Sequence, residues 1–552
     1  MKWWQKTILY ECYPKSFYDD KGLGNGTLKG IIKKLDYLKS LGIGALWLTP
    51  VYKSPMIDNG YDVADYYQID PKYGTMEDME ELIAEGKKRD IRIILDLVFN
   101  HSSDKCDWFL ESAGSKNNPK SDWYIWADPD ENGNAPTNWR ALFGGSAWAW
   151  NEDRKQYYLH TFAKAQPDLN WENPGVRKAL FDVANFWVAK GVGGFRIDAI
   201  SYIKKPQEFK NGIPDGVDGM SDINRLTRNQ EGILDFLREF KKEVREGKDI
   251  FLVGETNGVD PQELKDWVGE NGVFDMVIEF THISPEFVNG ENWCKPYDWS
   301  LSELKRNLNA FQYAVNEYGW HPLYFENHDK PRSVDHFFSK DADKKKAAKV
   351  IATLLMSLRG TPFLYQGQEL GMSNVAWDNI NDYDDLSSHV QFDMALEEGF
   401  SESEALEGVH RSSRDNARTP MQWNDKENAG FTTDKPWLKV NDNYHEINVE
   451  KEENDPSSAL NYYRQLKQLR DKHQALIDGK FRSFEDDNND VYIYERYNKD
   501  ETIRVLVNFK DYEVNIDPIY EENTKVLICS CPQHDKGILK PWEALILQVD
   551  MC

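Results

Sequence analysis

Eight short apolar runs, spaced so that helices can lie between them, constrain the fold of this chain more than any other feature. Thr7-Ile8-Leu9-Tyr10, Ala45-Leu46-Trp47-Leu48 and the run from Ile91 to Val98 come first. Gly193-Gly194-Phe195-Arg196-Ile197-Asp198-Ala199-Ile200 and Ile250-Phe251-Leu252-Val253 follow. Met276-Val277-Ile278, Pro322-Leu323-Tyr324-Phe325 and Pro362-Phe363-Leu364-Tyr365 complete the set. Between them, Thr27 caps a helix whose Leu28, Ile31, Leu35 and Leu38 recur at helical spacing. Thr75-Met76-Glu77-Asp78 has capping-box form and opens a helix running to about Arg89. A third helix is expected from Gly175 to Lys190. Continuous apolar strands alternating with amphipathic helices require a parallel sheet covered on both faces. Eight such units predict an α/β fold, a closed (β/α)8 barrel of the TIM type, with its chemistry at the C-terminal ends of the strands.

The alternation breaks between Ser102 and Glu172, a stretch rich in Trp, Asn, Gly, Pro and Asp that reads as an irregular inserted domain. After the last helical pattern, alternating runs such as Val491-Tyr492-Ile493-Tyr494 and Ala544-Leu545-Ile546-Leu547 predict a small antiparallel β domain. The expected organisation is a barrel from residues 1–102 and 173–478, an inserted domain at 103–172, and a C-terminal β-sandwich at 479–552.

The formal net charge of -26 argues against a nucleic acid or an anionic membrane surface as partner. Aromatic residues make up 13% of the chain, and many sit beside Gly, Asn or Asp, where flat rings suit sugar faces. The six cysteines lack metal-site spacing, and Cys529-x-Cys531 reads as a pair of ordinary thiols. Met1-Lys2-Trp3-Trp4-Gln5-Lys6 lacks the apolar core of a signal peptide, so a cytoplasmic protein is expected.

The polar residues that follow the apolar runs gather on one rim: Asp96 to His101, Asp198, Glu255-Thr256, Glu326-Asn327-His328-Asp329 and Gln366-Gly367-Gln368-Glu369. Arg196 and Asp198 alternate along one strand and so share a face. A neighbouring guanidinium favours the charged carboxylate, which suits an aspartate acting as nucleophile, although a structural ion pair has the same pattern. Glu255 ends an apolar strand, where partial burial favours the protonated carboxyl of a general acid/base. With Asp329 as a third carboxylate, the rim fits glycosidic bond cleavage. Metal-assisted hydrolysis with His101, Asp198, His328 and Asp329 as ligands is the competing reading.

Asp96-Leu97-Val98-Phe99-Asn100-His101, Gly194-Phe195-Arg196-Ile197-Asp198, Val253-Gly254-Glu255-Thr256 and Phe325-Glu326-Asn327-His328-Asp329 resemble the four main signature regions of the α-amylase family of glycoside hydrolases, family 13. Gln166-Pro167-Asp168-Leu169-Asn170 resembles the fifth region of its oligo-1,6-glucosidase and α-glucosidase subfamily. The resemblance implies catalysis by Asp198 as nucleophile, Glu255 as acid/base and Asp329 as transition-state stabiliser. It implies sugar binding by Asp58, Tyr61, His101, Phe162, Gln166, Arg196, His328 and Arg414. Asp58 with Arg414 would grip the non-reducing end and enforce exo action; a loop-bracing ion pair is the other reading of Arg414, with Arg418 close enough to exchange roles.

The subfamily's calcium loop reads like Asp-x-Asn-x-Asp, whereas the matching positions here are Asp19, Lys21, Leu23 and Thr27. No metal or other cofactor is therefore expected, with the Lys21 ammonium standing in for the ion. Ala199, after the nucleophile, stands where α-1,6-cleaving relatives tend to carry valine. The expectation is an exo-acting retaining α-glucosidase that favours α-1,4 over α-1,6 linkages in short oligosaccharides, as a monomer or weak homo-oligomer. The alternatives are a trehalose-6-phosphate hydrolase, a sucrose isomerase or transglucosidase, and a non-catalytic carbohydrate-binding relative.

Overall fold

Eight strands form one parallel sheet in the computed structural model, which describes all residues except 217, 270, 284–291, 296–298, 518–523 and 550–552. Cys552 lies outside the described residues. The strands are β1 (Ile8–Cys12), β2 (Ile43–Leu48), β3 (Arg92–Val98), β4 (Gly194–Asp198), β5 (Phe251–Glu255), β6 (Met276–Ile278), β7 (Pro322–Leu323) and β8 (Thr361–Tyr365). Their order is β6-β5-β4-β3-β2-β1-β8-β7, so each strand lies beside its sequence neighbour and β1 pairs with both β2 and β8. β6 and β7 adjoin, which curls the sheet into the expected barrel. β1, β4 and β8 are buried along their whole length, as continuous apolar strands covered on both faces require.

The helices follow their sequence signals. α1 (Leu28–Ser40) starts where Thr27 Oγ1 accepts from Gly30 N, and it buries Leu28, Ile31, Leu35 and Leu38. α2 (Met76–Lys88) opens on the Thr75–Asp78 capping box. α3 (Pro174–Lys190) is capped by Asn173 and ends at Gly191, whose φ of 97° suits glycine. β7 is shorter than the run Pro322-Leu323-Tyr324-Phe325 suggests. Pro322 pairs with Thr361 and Leu323 with Pro362, and neither proline has an N–H for the ladder, so pairing stops after two residues.

The segment after β3 holds a helix, Asp107–Gly114, and a three-stranded antiparallel sheet with Gln156–Leu159 between Trp126–Ala127 and Trp148–Asn151. Chain from beyond β4 joins it: Ser221–Asp222 pairs with Trp139–Arg140, and Trp139 Nε1 donates to the Lys210 carbonyl at 2.8 Å.

At the C-terminal end, β9 (Lys480–Phe484), β10 (Val491–Tyr497), β11 (Thr502–Asn508), β12 (Thr524–Cys529) and β13 (Ala544–Val549) form an antiparallel sheet in the order β9-β10-β11-β13-β12. A two-stranded sheet, Val514–Asn515 with Ile538–Leu539, packs against it through Val491, Leu506, Leu539 and Leu545. Among the described residues, no helix is long and apolar enough to cross a membrane.

Candidate active site

The C-terminal ends of the strands and the segment after β3 enclose a cavity of about 700 Å³. Its lining includes Asp58, Tyr61, His101, Phe162, Asp198, Glu255, Asp329 and Arg414. Gln166, Arg196 and His328 lie behind that lining, each at most 1% exposed, where they hold the groups that face the cavity.

Arg196 is the centre of the charge arrangement. The β4–β3 register sets it opposite Asp96, and Nη1 donates to both Asp96 carboxylate oxygens and to Asp198 Oδ1, all at 2.8 Å. Nη2 donates to Glu255 Oε2, which also accepts from Ala199 N at 3.2 Å. One guanidinium thus carries Asp198 and Glu255 on its two nitrogens. Contrary to the expectation from Arg196 alone, the Asp198 carboxyl is held well above the ordinary range. Burial is the main cause; Arg196 opposes it, and the nearby charges of Glu255 and Asp96 reinforce it.

Asp329 has the opposite environment. Burial would raise its carboxyl, but His328, Arg414 and Arg418 outweigh that and hold it well below the ordinary range. His328 Nε2 is 3.1 Å from Asp329 Oδ2 and 2.8 Å from the Tyr61 hydroxyl, and Nδ1 is 2.5 Å from Glu11 Oε1. With a carboxylate at each nitrogen, the imidazole is pushed up to about 9 despite its burial. It is an imidazolium at neutral pH. Its Nε2–H donates to the Tyr61 hydroxyl, which in turn donates to Asp96 Oδ2 at 3.0 Å.

His101 is neutral. Burial lowers its pKa against the opposing charges of Asp168 and Asp58. Its hydrogen bonds assign the tautomer: Asn100 Nδ2 donates to Nδ1 at 3.2 Å, and Nε2–H donates to the Tyr61 carbonyl at 3.0 Å. Both ring nitrogens of His101 and of His328 are already engaged by protein groups, which leaves neither ring a free lone pair for an ion. Among the described residues, His101, Asp198, His328 and Asp329 do not converge on one ion position.

Arg414 closes one end of the cavity. It reaches Asp58 Oδ1 at 3.3 Å, Asp329 Oδ1 at 3.4 Å and the buried Asp385 Oδ1 at 2.7 Å, while its guanidinium lies over the Phe143 ring. Arg418 takes a separate place, donating to Asp329 Oδ1 and to the His328 carbonyl, both at 2.9 Å. Gln166 Nε2 donates to Asp58 Oδ2 at 3.0 Å, and the Phe162 ring packs against His101 at 5.1 Å between centroids. Asp168, two residues after Gln166, accepts from Asn100, Thr161 and the buried Lys205 ammonium, the last at 2.9 Å. That ion pair fixes this wall to the loops after β3 and β4.

The cavity lining also includes Ala199, Tyr202, Arg228, Asn257 and Lys330. Ala199 adopts a left-handed backbone conformation, φ 48° and ψ 35°.

Asp19 does not use Lys21's ammonium as its counter-charge. Its carboxylate accepts from the backbone N–H groups of Lys21, Gly22, Leu23 and Gly24 at 2.6–2.9 Å and from the Thr432 hydroxyl at 2.7 Å. Positive φ at Gly22 and Gly24 turns those N–H groups inward. Thr27 instead donates to Asp20 at 2.6 Å while capping α1. A carboxylate already taking five donors is poorly suited to a hard cation.

Four residues of this network carry no assigned role in the sequence reading: Asp96, Glu11, Asp385 and, beyond its proximity to Arg414, Arg418. Asp96 and Glu11 are charged residues inside strands of a sheet buried on both faces, and that position was the available signal.

Comparison with known proteins agrees with this geometry. The family model for the α-amylase catalytic domain matches residues 11–479. The chain is 42% identical over 560 residues to an oligo-1,6-glucosidase of Parageobacillus thermoglucosidasius, covering 99% of both chains. It superposes on a trehalose-6-phosphate hydrolase of Bacillus licheniformis with a TM-score of 0.93 at 40% identity, covering 99% of this chain and 100% of that one. An isomaltulose synthase of Protaminobacter rubrum gives a TM-score of 0.94 at 39% identity, with both chains covered completely. With its parallel eight-stranded barrel and three carboxylates facing one cavity, the chain belongs to the α-amylase family of glycoside hydrolases and is an enzyme of its oligo-1,6-glucosidase group.

Proposed function

We propose that the enzyme is an exo-acting, retaining α-glucosidase that releases glucose from the non-reducing end of short α-glucosides, with α-1,4 linkages favoured. The observation that carries this reading is the shared guanidinium of Arg196, which holds Asp198 and Glu255 side by side at the cavity floor. In the first step an Asp198 oxygen attacks the anomeric carbon, the bond from that carbon to the glycosidic oxygen breaks, and Glu255 gives its proton to the departing oxygen. In the second, Glu255 takes a proton from water, whose oxygen displaces Asp198; two inversions retain the α configuration. Asp198 must ionise to attack, and Glu255 must carry the proton that leaving-group departure needs. Asp329, kept ionised by its cations, faces the developing positive charge.

The exo character rests on Asp58 and Arg414, which pair across the end of the cavity and present a carboxylate and a guanidinium to the terminal sugar's hydroxyls. The α-1,4 preference rests on Ala199, which lines the cavity beside Glu255 and whose methyl leaves more room there than valine would. A second reading, cleavage of a phosphorylated disaccharide, is favoured by Arg228 and Lys330, two cationic side chains in the cavity lining. Turnover of maltose, isomaltose, sucrose and trehalose 6-phosphate, with products resolved by chromatography, tests both. Maltose giving only glucose is the expected result; a dominant isomaltose signal removes the Ala199 argument, and dominant trehalose 6-phosphate turnover establishes the second reading.

A further inference from the structure

Away from the barrel rim, the C-terminal sheet brings together three side chains of different donor type. Cys529 ends β12, Glu543 directly precedes β13, and His534 lies on the connection between them. Their ligand atoms lie within 4.8 Å of one another. A single Glu543 oxygen, Oε1, takes both the Cys529 thiol at 2.9 Å and His534 Nδ1 at 3.0 Å, while Oε2 is fixed by Lys540 N at 2.6 Å. Glu543 is fully buried, and Cys531 is 8% exposed. The Cys531 thiol lies close enough to Cys529 and Glu543 to interact electrostatically with both.

The backbone holds this arrangement in place. Cys529 pairs with Leu545 in the β12–β13 ladder, Ser530 N donates to the Ala544 carbonyl, and Ala544 N donates to Ser530 Oγ at 2.8 Å. Cys529 and Cys531 therefore flank a residue locked to the strand that follows Glu543. Spacing alone hides the cluster, because the sequence shows an isolated Cys-x-Cys with a histidine and a glutamate at no recognisable interval.

We propose that Cys529, His534 and Glu543 form a zinc site, with Cys531 or water as the fourth ligand. Sulfur, nitrogen and one carboxylate suit a borderline-soft divalent ion and not calcium or magnesium, which take several oxygens. Zinc bonds of about 2.0–2.3 Å at tetrahedral angles put ligand atoms roughly 3.3–3.6 Å apart. The present 2.9 and 3.0 Å contacts need to open by only a few tenths of an ångström. Zinc takes the place of both protons now shared with Glu543 Oε1: the thiol proton leaves to solvent as the thiolate–zinc bond forms, and the imidazole proton moves through solvent from Nδ1 to Nε2, which frees Nδ1 to ligate. The two anionic ligands then balance the ion's charge. Occupancy would cross-link β12 to β13 and stabilise the C-terminal sheet.

The test uses the full chain, purified reduced and without an affinity tag, stripped of metal and titrated with cobalt(II) as a spectroscopic substitute for zinc. The expected result is one equivalent of cobalt giving a thiolate-to-cobalt charge-transfer band, with d–d absorption of tetrahedral intensity. Zinc should displace the cobalt and raise the unfolding temperature. Cys529→Ser should abolish the charge-transfer band or weaken cobalt affinity at least tenfold, as should Glu543→Gln, while glucoside turnover in both variants shows that the barrel has folded. Absence of the band in the wild-type chain, or an unchanged band in Cys529→Ser, overturns the proposal and leaves a hydrogen-bonded cluster only.

Discussion

Replacing Asp96 by Asn tests the idea that one guanidinium governs both catalytic carboxylates. Asp96 is 1% exposed, and both its oxygens accept from Arg196 Nη1 at 2.8 Å, while Oδ2 also accepts from Tyr61 and Trp47. Asparagine keeps the shape and one acceptor oxygen but removes the charge. A buried charge-assisted hydrogen bond is worth about 1.5–3 kcal/mol, and Arg196 keeps two other carboxylates, so the loss of stability should be about 2–3 kcal/mol. The effect on titration is more diagnostic. The Asp96 charge helps to hold the Asp198 carboxyl up, so its removal leaves the guanidinium less divided and lowers Asp198. The acid limb of kcat/KM should move to lower pH by roughly one unit, equivalent to about 1.4 kcal/mol. Activity at the optimum should fall about 10–100-fold as Arg196 relaxes and the nucleophile shifts. The assay is kcat/KM for a chromogenic α-glucoside across the acid range, alongside urea unfolding at neutral pH. An acid limb that stays in place or moves upward would refute the shared-guanidinium account, whatever happens to the rate.

Three further outcomes follow from the same geometry. His328 is raised from 6.5 to about 9, so its contribution to stability is fully present below pH 6.5 and is lost as pH rises through about 9. Glu11→Gln should bring that loss to lower pH in thermal-shift measurements, and an unchanged alkaline profile would contradict the pairing of His328 with Glu11. Asp198→Asn should abolish turnover yet raise the unfolding temperature at neutral pH, because a raised carboxyl costs the fold stability once it ionises; the gain should be on the order of 1 kcal/mol and vanish in acid. Wild-type unfolding temperature should not respond to added calcium, since the Asp19 carboxylate is already filled by backbone N–H groups; a calcium-dependent rise would show that this loop still takes the ion.

The barrel was legible because its signals are local. An apolar run, a cap and a helical period each lie within about a dozen residues, and the strand-end acids stand directly after the runs. Partners that meet only through the sheet order were not legible. Glu11 finds His328 across a sequence separation of 317 residues, and Asp96 acquires its role only because β3 and β4 pair in the register that puts it opposite Arg196. The ionisation of Asp198 differs from expectation for a related reason: a buried strand and a neighbouring arginine are both visible in sequence, but which of them wins, and the closeness of Glu255 and Asp96, are not. Arg414 and Arg418 looked interchangeable at four residues' spacing. A short helix, Asp415–Arg418, separates their tasks, so that one closes the cavity end and the other braces Asp329 from behind. The left-handed backbone at Ala199 likewise has no signature in an alanine.

The place of β1 between β2 and β8 has a consequence for how the enzyme is made. Synthesis runs from the N-terminus, and β1 emerges first, yet one of its two edges waits for Thr361–Tyr365. Glu11 waits as long for His328, and Asp58 waits 356 residues for Arg414. At ribosomal rates of about 5–20 residues per second, the nascent chain spends tens of seconds with an open sheet edge and a half-built cavity. Premature termination after Glu255 but before Arg414 would therefore leave a protein holding its nucleophile and its acid but without a closed sugar-binding end. A chaperone that shields the free edge of β1 would cover it until Thr361–Tyr365 arrives.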